Sequence, residues 1–241
     1  MKKFFKKILV TGLTLSLFAG ANLPAFAAEN YDISSEVPTD YFSENYQNEL
    51  AKHNSLIEEY IGNLNPSSRS SASAVLAVPL IQQENGYYCG PACAQMIVRY
   101  LDSTNTITQA EIEDDMGMST AGASPYEMKT FLNQYVSSKK YNYFFTTNTN
   151  FANNVVYSLD NDRPVVGLVK HSVLQPNSTS GGHYVVIKSY FHSGSPLNAT
   201  IAYNDPHYNN NFFGNHTCSV SHMENAIEAL NNPYYISASA S

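Results

Sequence analysis

Basic residues are scarce in this chain. Only 13 Lys and Arg stand against 20 Asp and Glu among 241 residues, a net charge of −7. Four of the 13 are Lys2, Lys3, Lys6 and Lys7, so the chain from residue 28 on has nine basic residues against 20 acidic, a net charge of −11. That excess of negative charge excludes nucleic acid and anionic lipid as main partners. Long apolar runs are equally rare. Ile8 to Ala21 is mostly apolar, but Thr and Gly interrupt it, and a bilayer span needs about 20 residues. No second such run follows, so no membrane span is expected in the mature chain. Cysteine occurs three times, at Cys89, Cys93 and Cys218, and never as a Cys-x-x-Cys pair, which argues against structural zinc. His207, His216 and His222 lack the tight helical spacing of a zinc protease motif. Neither a metal nor an organic cofactor is expected.

Residues 1–27 combine the basic start, the short apolar stretch and Ala25-Phe26-Ala27, with small residues at both recognition positions for cleavage. That is a secretory signal peptide of bacterial type, and no Cys near the cleavage point suggests a lipoprotein. The expected location is outside the cell. The mature length suits one domain plus an extension. In the extension, residues 28–77, the spacing of Phe42, Tyr46, Leu50, Leu56, Tyr60 and Leu64 fits an amphipathic helix, which Asn65-Pro66 ends. Ser67 to Ala74 reads as an exposed, mobile Ser/Ala linker, with the globular domain, 78–241, beginning near Val78. The extension is then either a spacer with a surface helix or a pro-segment in autoinhibitory contact with its own cleft. On either reading its removal should leave a folded domain of equal or greater activity.

Past Val78, helices come first. One runs from Ala92 to Leu101. Thr108-Gln109-Ala110-Glu111 is a capping box for a helix ending at Gly117, and Ser124-Pro125-Tyr126-Glu127 opens another to about Val136. Tyr141 to Thr147 suits a strand and Thr149 to Leu159 a helix. Pro164–Lys170, Gly182–Tyr190 and Ala199–Asn204 read as strands. Ser221 caps a helix through Leu230, and Pro233–Ala238 closes the sheet. Helices early and strands late indicate an α+β fold.

The richest stretch is Gln83-Glu84-Asn85-Gly86-Tyr87-Tyr88-Cys89-Gly90-Pro91-Ala92. Cys89 follows a turn-forming Asn-Gly pair and stands where a helix begins. Backbone N–H groups there have no partner within the helix, and the macrodipole adds partial positive charge. A thiol so placed ionises more easily, and the thiolate is the nucleophile. Gln83, six residues earlier, has an amide able to hold a developing oxyanion. The base that pairs with a thiolate is best sought at His183, which opens a strand behind Gly181-Gly182. Asp205, at the end of the next strand, would orient that imidazole if the two strands are antiparallel neighbours. Asn204 is its rival, pointing to the opposite face, and Asp205-Pro206 as a plain turn is the bland alternative. His171, at the end of a strand, could line the cleft. His207 sits in a loop, and the other histidines occupy surface or cap positions. Cys93 is most simply a small buried residue, and a Cys93–Cys218 bridge is the less favoured alternative.

Pro79-Leu80-Ile81-Gln82-Gln83, Tyr88-Cys89-Gly90-Pro91-Ala92, Gly181-Gly182-His183-Tyr184-Val185-Val186 and Tyr203-Asn204-Asp205-Pro206 together resemble the papain-like cysteine peptidases related to bacteriocin leader-processing (double-glycine) peptidases. The resemblance runs from about Val78 to the C-terminus. It implies a papain-like fold, with N-terminal helices that include the nucleophile helix packed on an antiparallel sheet. It also implies proteolysis of a peptide or protein substrate by Cys89 as nucleophile, His183 as base, Asp205 as orienter and Gln83 in the oxyanion hole. The leader-processing enzymes are fused to membrane spans and an ATPase, whereas this chain reads as free-standing and exported, so their substrate does not carry over. Two other readings stand beside a secreted peptidase. One is an amidase or acyltransferase on cell-wall or other amides, and the other a non-catalytic exported binding module.

Overall fold

The computed structural model describes residues 43–64, 71–178 and 181–240. The signal-peptide reading, the start of the extension and part of the linker lie outside the described residues. In chain order the elements are α1 (Glu44–Leu64), β1 (Ser71–Val75), α2 (Cys89–Leu101), α3 (Gln109–Met116), α4 (Pro125–Leu132), β2 (Tyr141–Phe145), α5 (Phe151–Asp160), β3 (Val165–Lys170), α6 (His171–Leu174), β4 (Gly182–Ser193), β5 (Thr200–Asp205), β6 (Gly214–Ser219), α7 (Val220–Glu228) and β7 (Tyr234–Ala238). The fold is α+β, as the order of helices and strands in the sequence anticipates.

Every strand pairing is antiparallel, in the order β2-β7-β3-β4-β5-β6. β4 is long enough to serve two partners along one edge, β3 against its first half and β1 against its second. Its opposite edge pairs with β5 through a bulge between Ile187 and Ser189. Val165, Val166, Val169, Val185, Val186 and Ile187 are fully buried, so β3 and β4 read as continuous apolar runs because both of their faces are covered. The helices α2, α5 and α7 pack on this sheet and share one core with it.

Local sequence sets several boundaries. Both capping boxes are present: Thr108 accepts from the Glu111 amide and Ser124 from the Glu127 amide, with each glutamate reaching back. Gly117 closes α3 at φ 64°, a left-handed position that suits glycine. α4 stops at Leu132, short of the expected Val136, because the Asn133 side chain turns to bond the backbone N–H and C=O of Tyr141 at 2.7 and 2.9 Å. The cap of α7 is Ser219 rather than Ser221, with its hydroxyl accepting from the His222 amide.

Residues 71–75 are not a linker. They form β1, small side chains fitting an edge strand whose backbone bonds carry the pairing. β6 was also invisible in the polar stretch after Pro206. Its residues alternate between half-buried and exposed, and as an edge strand it needs no apolar face. α1 buries Tyr46, Leu50, His53 and Ile57 and packs on α5. His53 Nε2 bonds Asn154 Oδ1 at 2.6 Å, its Nδ1 accepts from the Ala240 amide at 2.9 Å, and its ring stacks on Phe144. The contacts of this helix therefore lie with α5, β2 and the C-terminal segment, not over a cleft at Cys89. Among the described residues no helix is long and apolar enough to cross a membrane.

Candidate active site

Cys89 is the first residue of α2, and the backbone ahead of it is fixed by a local turn. The Asn85 side chain accepts from the Tyr87 amide at 3.1 Å, and the Tyr88 hydroxyl bonds Glu113. Tyr88 caps the helix without a side-chain bond, which leaves the first amides of α2 open as donors. Pro91 falls in the first turn, where a missing N–H costs nothing, and the first helical bond runs from the Ala92 amide to the Tyr88 carbonyl at 2.9 Å. Gly90 allows the close approach. A Cβ there would lie 2.8 Å from that of Ala123, whose carbonyl accepts from the Tyr184 hydroxyl.

The partners of the thiol come from the ends of three adjacent strands. β3 and β4 pair Val169 with His183, and His171 follows two residues after Val169. β4 and β5 pair Val186 with Asn204, so Asp205, next along, turns to the face that His183 shares with Val185. His183 Nε2 lies 2.8 Å from Asp205 Oδ1, and His171 Nε2 lies 2.8 Å from Oδ2. The His207 amide also donates to Oδ1, at 2.9 Å. Asn204 faces the other way, its amide donating to the carbonyls of Val78 and Pro79. The structure thus joins Asp205, and not its rival, to His183.

Three donors on one carboxylate decide its charge. Burial opposes ionisation, but the His183 charge and the hydrogen bonds of His171 and His183 hold Asp205 well below the ordinary carboxylate range. For His183, burial pulls down while the Asp205 charge and hydrogen bond push up. Cys89, within hydrogen-bonding reach, adds to the push, and the result is about 10. With Nε2 committed to Asp205, Nδ1 is the nitrogen left to face the sulfur. His171 is lowered by burial, which its bond to Asp205 offsets only in part. His207 is pushed down to about 4 by burial and by the neighbouring His183 and His171. The electrostatics therefore favour the charged form of His183, the histidine that reaches the thiol, over those of His171 and His207. Such an arrangement can sustain a thiolate–imidazolium pair.

Gln83 is buried and its backbone is clamped. Its amide donates to the Pro206 carbonyl at 2.7 Å, tying it to the residue after Asp205. On either side, the Gln109 side chain donates to the Gln82 carbonyl at 2.8 Å and accepts from the Glu84 amide at 3.0 Å. The Gln83 side chain itself donates to the Asn85 carbonyl at 2.6 Å, while its Oε1 is buried with no hydrogen-bond partner among the described residues. Gln82, the neighbour with which it could be confused, instead holds the loop after Asp205 through the carbonyls of His207 and Tyr208.

Sequence reasoning passed over Gln109 and gave His171 only a place lining the cleft, without its bond to Asp205. His171 was readable as a strand end, but only the β3–β4 and β4–β5 pairings together bring it to Asp205. Gln109 looked like part of a helix start and nothing more. His171, His183 and Asp205 have donor atoms within 4.8 Å of one another, near enough to invite a cation, yet their hydrogen bonds to each other account for that closeness. All three cysteines are free thiols, so no Cys93–Cys218 bridge forms. Cys93 is buried, and burial followed by the nearby Cys89 pushes its thiol well up.

Among solved structures, the fold is similar to a C39-like peptidase from Bacillus anthracis, with a TM-score of 0.50 and 14% identity over 70% of this chain and 99% of that one. Two weaker likenesses, each at 14% identity, have TM-scores of 0.44 and 0.40. The first is a double glycine motif protease from an AMS/PCAT transporter in complex with the leader peptide, covering 70% of this chain and 95% of that one. The second is the peptidase domain of Streptococcus ComA, a bi-functional ABC transporter involved in quorum sensing, covering 68% and 99%. No curated protein matches the chain. The Peptidase C39-like family model, by contrast, matches residues 75–236, from the end of β1 through α7 and into β7. Fold and family agree, and the chain belongs to the Peptidase C39-like family of cysteine peptidases.

Proposed function

We propose that the protein is an exported thiol peptidase in which Cys89, His183, Asp205 and Gln83 act together on a peptide bond. The observation that carries this reading is the buried His183, with Nε2 2.8 Å from the Asp205 carboxylate and the Cys89 sulfur within hydrogen-bonding reach, an arrangement that favours its charged form. The Cys89 thiolate attacks the carbonyl carbon, and the carbonyl π electrons move to oxygen. The Cys89 amide and the second N–H of the Gln83 side chain stabilise that oxyanion. Collapse expels the amine, which takes the proton from His183, and leaves a thioester on Cys89. Water then gives a proton to His183 as it attacks the thioester. Thiolate departs, and the imidazolium is restored with the acid product released.

Export rests on residues 1–27 as a signal peptide, and the substrate is peptide or protein. The same four groups would also serve amide hydrolysis or acyl transfer in cell wall, so the test compares substrates. Full mature protein is incubated with casein and with purified cell wall, with Cys89→Ala as control and a thiol-directed inhibitor in parallel. Casein cleavage that disappears in the Cys89→Ala variant, with selective alkylation of Cys89 at mild pH, is expected. Release from cell wall alone would move the activity to the amidase reading. Absence of both activities and of selective labelling would leave only the binding module.

A further inference from the structure

His171 has no part in the chemistry above, yet it is completely buried at the centre of the site. Its Nε2 lies 2.8 Å from the carboxylate oxygen that His183 does not use. A carboxylate only accepts, so this nitrogen carries the hydrogen. Its Nδ1 has no hydrogen-bond partner among the described residues. The ring is wedged between His183 and His207, with centroids 4.3 and 4.9 Å away, and meets Phe212 edge-on at 5.5 Å. Its backbone amide donates to the Gly181 carbonyl at 3.3 Å, just before His183. A second positive charge against the His183 imidazolium would be repelled, and nothing at Nδ1 would stabilise it. The charged and titratable groups acting on this ring are Asp205 and His183, with His207 stacked beside it and His216 within electrostatic reach.

We propose that His171 is a positioning residue for the reaction proposed above. Its neutral Nε2–H fixes Asp205 Oδ2, so that the carboxylate cannot turn about its Cβ–Cγ bond and Oδ1 stays aimed at His183. Two imidazoles share one carboxylate, and their roles differ by access. His183 reaches the sulfur and moves a proton, whereas His171 keeps its proton throughout. The inference rests on the peptidase reading, and the experiment separates the two.

In the full mature chain, His171→Leu removes the donor and keeps apolar bulk, while His171→Gln restores an N–H at similar reach. For each, kcat and KM on a casein-derived peptide are measured with the thermal midpoint and the rate at which iodoacetamide alkylates Cys89. His171→Leu is expected to lose at least about tenfold in kcat, as befits a hydrogen bond to a charged group, and to alkylate more slowly, with KM little changed. His171→Gln should recover most of both rates. Retention of kcat within about twofold in His171→Leu overturns the inference, as does a His171→Gln variant no better than Leu, which would mean packing alone. Should His171→Leu fail to fold, nitrogen NMR on labelled wild-type protein decides: a neutral Nε2–H tautomer is expected, and an Nδ1–H tautomer or a charged ring overturns it. A wild-type Cys89 that resists selective alkylation would instead defeat the peptidase reading itself.

Discussion

At the scale of single residues, the charge on His183 is a shared property. Its rise from 6.5 to about 10 is opposed by burial and owed to Asp205 and then to Cys89. Cys89→Ala should therefore bring the His183 titration down toward its ordinary value, measured by NMR; an unmoved titration would mean that the sulfur does not face the ring. The linkage has a defined sign. An imidazolium favoured by folding contributes stability that is whole below 6.5 and fades as pH climbs to about 10. Asp205→Asn should flatten that alkaline decline in stability. Denaturation midpoints across the window test this, and an unchanged slope would contradict it. Gln109 gives a third prediction. Gln109→Ala frees the backbone on both sides of Gln83, so kcat should drop by about tenfold while KM holds, and adding Gln83→Ala should cost little more. Full additivity in kinetic assays would separate the two residues.

Elements explain what could and could not be read in advance. The helices of Thr108 and Ser124 announce themselves because a capping box is a purely local contract between four neighbouring residues. The buried strands β3 and β4 declare themselves by apolar runs, and the antiparallel pairing of β4 with β5 made His183 and Asp205 a readable couple. β1 and β6 gave no such sign. Their residues are small or polar, and only the neighbouring strand makes them strands. His171 could be read as lining the cleft, but its bond to Asp205 could not, since that partner lies 34 positions away on a strand it never pairs with. The head of α2 carries its own test. Gly90→Ala forces a Cβ to within 2.8 Å of the Ala123 Cβ and should cost about 1–3 kcal/mol in thermal unfolding. Ala123→Gly in the same chain should return most of it, and failure to do so would mean that the clash lies elsewhere.

For the whole molecule, the surprise is α1. Read from sequence it was removable, but its buried face points the other way. Tyr46, Leu50, His53 and Ile57 cover part of the core, and His53 satisfies both Asn154 and the last strand's outgoing backbone. Starting the chain at residue 71 should lower stability by several kcal/mol, on the order of 1.5–3 kcal/mol for each large apolar side chain uncovered. A truncated protein melting at the same temperature would refute this. Acid should act on the same helix. Burial lowers the His53 titration, so this histidine's contribution is lost as pH falls below 6.5, where the unfolded chain takes the proton first.

The thiol and the amide of Gln83 ride on the segment that leads into α2, whereas the imidazole and carboxylate ride on the sheet. A few bonds stitch these halves together, among them Gln83 to Pro206, Asn204 to Val78 and Pro79, and Tyr184 to Ala123. Mild heat or dilute denaturant that slackens this seam would uncouple sulfur from nitrogen while both halves keep their shape. Such a protein would fall silent before it melts.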